Sequence, residues 1–171
     1  MLGYITIHDH TPGEGDRLLT ALARRLADSS LRLAGAVQIN TEIIPDGDCD
    51  MDLMILGDDG PLVRITQSLG PGSQACRLDS AALAQAVART ESVLERGADL
   101  LIVNKFGKQE CFGRGFRDTI GRALAAGIPV LVHVPPEQLS GFRLFAGDLA
   151  EPLAPENIDD WCRTRLARPA A

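Results

Sequence analysis

Short runs of β-branched residues and leucine alternate along the chain with longer segments in which apolar residues recur every three to four positions. That alternation predicts an α/β domain with a mainly parallel sheet. Residues 2–8 read as a first strand. Leu18, Leu19, Leu22, Ala23 and Leu26 then mark the buried face of a helix over residues 16–28. Residues 33–39 form a second strand. The two runs 51–56 and 62–66 flank the turn sequence Gly57-Asp58-Asp59-Gly60, which predicts a β-hairpin inserted at about residues 46–67. Asp79 is suited to cap a helix that runs to about Arg96, with Gly97 ending it.

The second half repeats the alternation. Leu100-Leu101-Ile102-Val103 is a central strand, and a glycine-rich loop over residues 105–115 leads into a helix with Phe116, Ile120, Ala123 and Leu124 inward. Gly127 stops that helix, residues 129–134 form the next strand, and Pro135-Pro136 breaks the chain. A last helix from about Pro155 turns Ile158, Trp161, Cys162 and Leu166 inward. No repeat or linker interrupts the pattern, so a single α/β domain over residues 1–171 is expected.

Composition narrows the function. The formal charge is −6 and the pI near 5.0, which argues against a nucleic-acid coat or an anionic-membrane patch. The amino terminus lacks a basic flank and a long apolar run, and no stretch approaches the roughly 20 apolar residues of a membrane span, so a cytoplasmic location is expected. Cys49, Cys76, Cys111 and Cys162 are scattered without a C-x-x-C pair, and reduced thiols are expected. Of 17 basic residues only two are lysine, Lys105 and Lys108. A GC-rich coding background explains the arginine excess, but not the pairing of the two lysines.

In open α/β sheets, ligands bind beyond the carboxyl ends of the strands. Two such loops carry chemistry. The first, His8-Asp9-His10-Thr11-Pro12-Gly13-Glu14-Gly15-Asp16, stands where a strand-loop-helix phosphate cradle would be, but lacks the G-x-x-x-x-G-K-[ST] signature. Gly13 and Gly15 let backbone approach a ligand. The competing structural reading is a tight turn with Asp16 as N-cap. His8 and His10 with Asp9 form a weak metal signal, and no metal site is assigned.

The second loop runs from Asn104 to Gly115. Between residues 105 and 117 it sets Lys105, Lys108, Arg114 and Arg117 against Glu110 alone. A strand end followed by a helix amino terminus adds free backbone amides to that charge, which suits an oxyanion. Arg114, between Gly113 and Gly115, offers a planar fork, and Glu110 is placed to orient a lysine or bind a cation. A solvated basic loop is the bland alternative. Cys111, in this positive setting, is expected to have a lowered pKa. Asp46, Asp48, Asp50 and Asp52 alternate on one face of the insertion, as a cation site or as the charged edge of the sheet.

The run Leu100-Leu-Ile-Val-Asn-Lys-Phe-Gly-Lys-Gln-Glu110, then Gly113-Arg-Gly115, Gly127-Ile-Pro-Val-Leu131, Cys76-Arg-Leu-Asp79 and Phe145-Ala-Gly147 resemble an uncharacterised bacterial domain family often associated with molybdenum transport genes. That family is similar in fold to small phosphate-loop nucleoside-triphosphatases. The resemblance spans nearly the whole chain and implies a Rossmann-like three-layer fold of degenerate phosphate-loop type. It fails at both catalytic motifs. Asn104 and Lys105 stand where an acidic pair would hold magnesium, and no lysine precedes position 105.

Three readings follow. The first is a cytoplasmic binding protein that takes molybdate, tungstate or a phosphorylated ligand at Asn104, Lys105, Lys108, Glu110, Gly113, Arg114, Gly115, Gly13 and Gly15. The second is a magnesium-dependent nucleoside-triphosphatase or kinase-like enzyme with a relocated lysine. The third is a protein-protein adaptor using the acidic hairpin. The residues leave open whether the ligand is an oxyanion or a nucleotide. A small anionic ligand is the expected partner, with a homodimer as the default assembly.

Overall fold

The computed structural model describes residues 1–8, 11–42, 49–67 and 77–166. Its elements are β1 (Leu2–Ile5), α1 (Glu14–Ala27), β2 (Leu33–Glu42), β3 (Cys49–Leu56), β4 (Val63–Arg64), α2 (Ser80–Glu95), β5 (Leu100–Val103), α3 (Lys108–Cys111), α4 (Arg117–Ala125), β6 (Val130–His133), α5 (Leu139–Ala146), β7 (Ala150–Leu153) and α6 (Ile158–Leu166). One seven-stranded sheet runs in the order β4-β3-β2-β5-β6-β1-β7. The strands from β2 to β7 in that order are parallel, and β3 and β4 extend the sheet antiparallel. This is the expected mainly parallel α/β fold with a hairpin insertion.

Two apolar layers complete the sandwich. On one face, Leu19, Leu22 and Ala23 of α1 and Ile158, Trp161 and Cys162 of α6 pack on Ile5, Val37, Leu100, Ile102 and Leu131. On the other, Leu83 and Ala86 of α2, Ile120 and Ala123 of α4 and Phe142 of α5 pack on Tyr4, Ala36, Leu101, Val103 and Val132. The central strands are buried on both faces, which is why they read as continuous apolar runs. Asp79 caps α2 as expected, accepting from the amides of Ala81 at 2.9 Å and Ala82 at 3.0 Å.

Three features differ from the expectation. Gly13, in a left-handed conformation (φ 73°), caps α1, and Asp16 lies within the helix. The edge-strand reading of the aspartate run is overturned because β3 is internal, between β2 and β4. Asp46 and Asp48 lie outside the described residues, while Asp50 and Asp52 both pair with Arg64. Finally, α5 and β7 fill a stretch with no expected element. Pro152 interrupts the β pattern there, and it is tolerated because β7 is the sheet's edge.

Candidate functional site

β1 and β6 are neighbours, yet the chain leaves β1 for α1 on one face and leaves β6 for α5 on the other. Their carboxyl ends therefore flank a topological switch point, where the diverging loops open a crevice. The crevice has a volume of about 110 Å³ and is lined by Gly13, Glu14, Gly15 and Asp16 from the start of α1, and by Lys105 and His133 from the ends of β5 and β6. Arg17 makes the first regular helical bond, from its amide to the Gly13 carbonyl at 3.0 Å, so earlier amides of the first turn lie at the positive end of the helix.

Gly15 is required by packing. A Cβ at this position would lie 2.6 Å from Cε1 and 2.7 Å from Nδ1 of His133, so the imidazole edge rests against the glycine backbone. His133 is 8% exposed, and its Nδ1 is buried without a hydrogen-bond partner. Burial first, and then the Lys105 ammonium, holds this histidine below the usual imidazole range, against the upward pull of Asp16, Glu137 and a bond to the Asn104 backbone. The ring is thus held toward its neutral form. Glu14 Oε2 is likewise buried without a hydrogen-bond partner.

Asp16, 5% exposed, anchors an amide cluster behind the crevice. Its Oδ2 accepts from Asn40 Nδ2 at 2.7 Å and Gln38 Nε2 at 3.3 Å, and its Oδ1 accepts from Asn104 Nδ2 at 2.8 Å. Asn104 Oδ1 in turn accepts from the Gln38 backbone amide at 2.9 Å. The cluster stitches α1 to β2 and β5. Asn104 directly follows β5, so the cluster ties the end of that strand to the first turn of α1. Gln38, Asn40 and His133 were absent from the sequence-based set, although Gln38 and Asn40 are a visible polar pair at i, i+2 spacing where β2 turns from apolar to polar.

The glycine-rich loop is organised around Glu110. Its Oε2 accepts from the Gly107 amide at 2.8 Å and its Oε1 from the Phe116 amide at 3.0 Å. Gly115 has φ 57°, and a Cβ there would lie 2.0 Å from Glu110 Oε1. Burial raises the Glu110 pKa, opposed by these backbone donors and by Lys105. Its carboxylate therefore holds the loop together from inside. Lys108 and Arg114 are exposed and do not line the crevice, and neither do Gly113, Gly115 or Glu110. Lys105 is the residue that joins this loop to the first one.

The expectation for Cys111 is overturned. Its Sγ donates to Gln138 Oε1 at 3.3 Å and packs against Gly141, and burial, then Glu110, raises its pKa. An open cleft of about 920 Å³ adjoins the other side of the α1 amino terminus, sharing Gly13 and Asp16 with the crevice and adding Arg17, Arg24 and Asn40. Among the described residues no group of three or more acidic, histidine or cysteine side chains is placed to hold a metal ion, and no helix is long and apolar enough to cross a membrane.

The chain is 38% identical over 157 residues to a Bradyrhizobium diazoefficiens protein named molybdenum import ATP-binding protein ModC 2. The match covers 90% of this chain and 17% of that protein, so the chain corresponds to a small part of its relative. No solved structure matches. Residues 4–161 match a family described as protein of unknown function (DUF2478), and the chain therefore belongs to the DUF2478 family.

Proposed function

We propose that this protein binds a small tetrahedral oxyanion, the class of molybdate, tungstate and phosphate, or the phosphate group of a larger ligand, at the crevice between β1 and β6. The observation that carries the reading is the convergence of Lys105 with the glycine turn and amino terminus of α1 on one cavity. An ammonium group, helix amides and a sterically bare glycine backbone are the usual elements of an oxyanion site. Size supports the small ligand. Pockets for drug-sized molecules hold about 300–1,000 Å³, whereas the crevice holds about 110 Å³.

A larger phosphorylated ligand would place its phosphate in the crevice and its remainder in the adjoining cleft. The relative's name joins ATP binding to molybdenum import, and both ligand classes are therefore included. Turnover of a nucleotide is disfavoured by the chemistry. No lysine precedes position 105 to clamp a phosphate from the first loop, and Asn104, an amide, follows β5 where a carboxylate would be needed to bind magnesium. The reading is binding without hydrolysis.

Calorimetric titration with molybdate, tungstate, phosphate and ATP tests it. Saturable binding of at least one anion, lost in Lys105→Ala and kept in Lys108→Ala, is the expected result. Equal binding by the Lys105→Ala protein would overturn the assignment. Magnesium-dependent phosphate release from ATP would favour the enzymatic alternative.

A further inference from the structure

Exposed apolar side chains gather around one helix, α5. Among the described residues, the large hydrophobics left in solvent include Leu144 at 90% exposure, Phe112 at 77%, Leu149 at 72% and Met1 at 50%. Leu144 lies on α5, and Leu149 stands three residues beyond its end. Phe112 caps α3, which packs on α5 through Cys111 against Gly141. Met1 precedes Leu2, which lines a groove of about 370 Å³ together with Leu124, Phe145 and Leu149. A single exposed leucine is ordinary, whereas a group around one element marks a contact surface.

Charge on the same helix is also unpaired. Arg25, Arg32, Arg64, Arg89, Arg122 and Arg165 all meet carboxylates of their own chain. Arg143 and Asp148 line one open pocket of about 290 Å³, yet among the described residues neither has an ion-pair partner. Both are exposed, and each is next in sequence to an exposed leucine.

We infer that α5 is the contact face of a symmetric dimer of this chain, in which two copies of the helix pack antiparallel and Arg143 of each copy meets Asp148 of the other. A two-fold axis makes every contact twice, so a face with a free cation at one end and a free anion at the other complements itself. One residue inward from both ends, the same register sets Leu144 of one copy over Gly147 of the other. Gly147 is exposed, and nothing lies within 4 Å of where its Cβ would be, so the leucine has room. Ser140, Leu144 and Gly147, spaced four and three residues apart, share this outward face. The inference stands independently of the oxyanion reading.

Sedimentation velocity tests it on the wild-type protein, Leu144→Glu, Arg143→Glu and Asp148→Arg, and on an equimolar mixture of the two charge variants. The wild-type protein should form a dimer that dissociates on dilution. Leu144→Glu should raise the dissociation constant at least about tenfold, and so should each charge reversal, which sets like charges together at both ends. In the mixture one copy carries two anions and the other two cations, so a heterodimer should form, which an ion pair within one chain would not produce. A wild-type monomer up to about 100 µM, where a micromolar Kd would be saturated, overturns the inference and leaves the face to a different protein. A dimer that survives Leu144→Glu or either charge reversal, or charge variants that stay monomeric when mixed, overturns it as well. All three substitutions lie at exposed positions, and circular dichroism checks that the variants fold. Should Leu144→Glu fail to fold, the two charge variants carry the test.

Discussion

The Asn104 side-chain amide donates to the Asp16 carboxylate at 2.8 Å, joining the end of β5 to the first turn of α1 across 88 positions of sequence. Asp16 is a buried acid that needs donors, and Asn104 is a buried amide that has them to give. The amide at the end of β5 supplies one of those donors while its oxygen accepts from the Gln38 backbone amide.

Asp16→Ala should therefore destabilise the protein by about 2–4 kcal/mol, because three side-chain amides lose their common acceptor in a buried setting. Asp16→Asn should cost less, since one carbonyl oxygen remains. Urea denaturation of the two variants measures the difference. Equal, small losses would show that the cluster contributes little to stability.

Asn104→Asp would bring two buried carboxylates within hydrogen-bond distance. Like charges raise the pKa of such a pair. A raised carboxyl pKa contributes stability at low pH that is lost as pH rises through the folded value. The variant should thus be weaker than the wild-type protein at pH 7 by more than about 2 kcal/mol and recover toward pH 4. A pH-independent deficit in thermal melts would contradict this.

His133 acts with the opposite sign. Its folded pKa lies below the unfolded value of about 6.5, so the folded state resists protonation. The associated stability is present above that value and declines as pH falls through it toward the lower folded pKa. His133→Gln should flatten the stability profile between about pH 6.5 and 5. Identical slopes in the two proteins would place the effect elsewhere.

Within the glycine-rich loop, Glu110→Gln should cost about 1–3 kcal/mol even though it removes a buried charge, because one of two backbone donors would face an amide NH₂. Gly115→Ala should also destabilise, by about 1–2 kcal/mol from the left-handed backbone alone, with the close approach to Glu110 added. Lys108→Ala and Arg114→Ala, at exposed positions, should stay within about 0.5 kcal/mol of the wild-type value. Thermal unfolding of the four variants sorts structural from surface residues.

Much of the architecture was legible in the chain because burial on both faces of a parallel sheet writes itself as apolar runs. The strand Leu100–Val103 and the capped helix after Asp79 follow from local pattern alone. α5 and β7 were less legible. A four-residue edge strand containing Pro152 is held by pairing with β1, a contact separated from it by most of the chain.

The candidate site divides in the same way. Composition and spacing by themselves determined that the lysines stand only at 105 and 108, that the first loop lacks a lysine, and that glycines mark both loops. They could not separate Lys105 from Lys108, since only the fold shows that the residue just beyond β5 lines the crevice while the one that opens α3 does not. Only tertiary structure decided that Glu110 serves its own loop, that Asp16 is met by Gln38, Asn40 and Asn104, and that His133 closes against Gly15. The physical reason is that charge and backbone freedom are properties of single residues, whereas a hydrogen-bond partner or a buried, unpaired acceptor exists only where distant strands and helices meet.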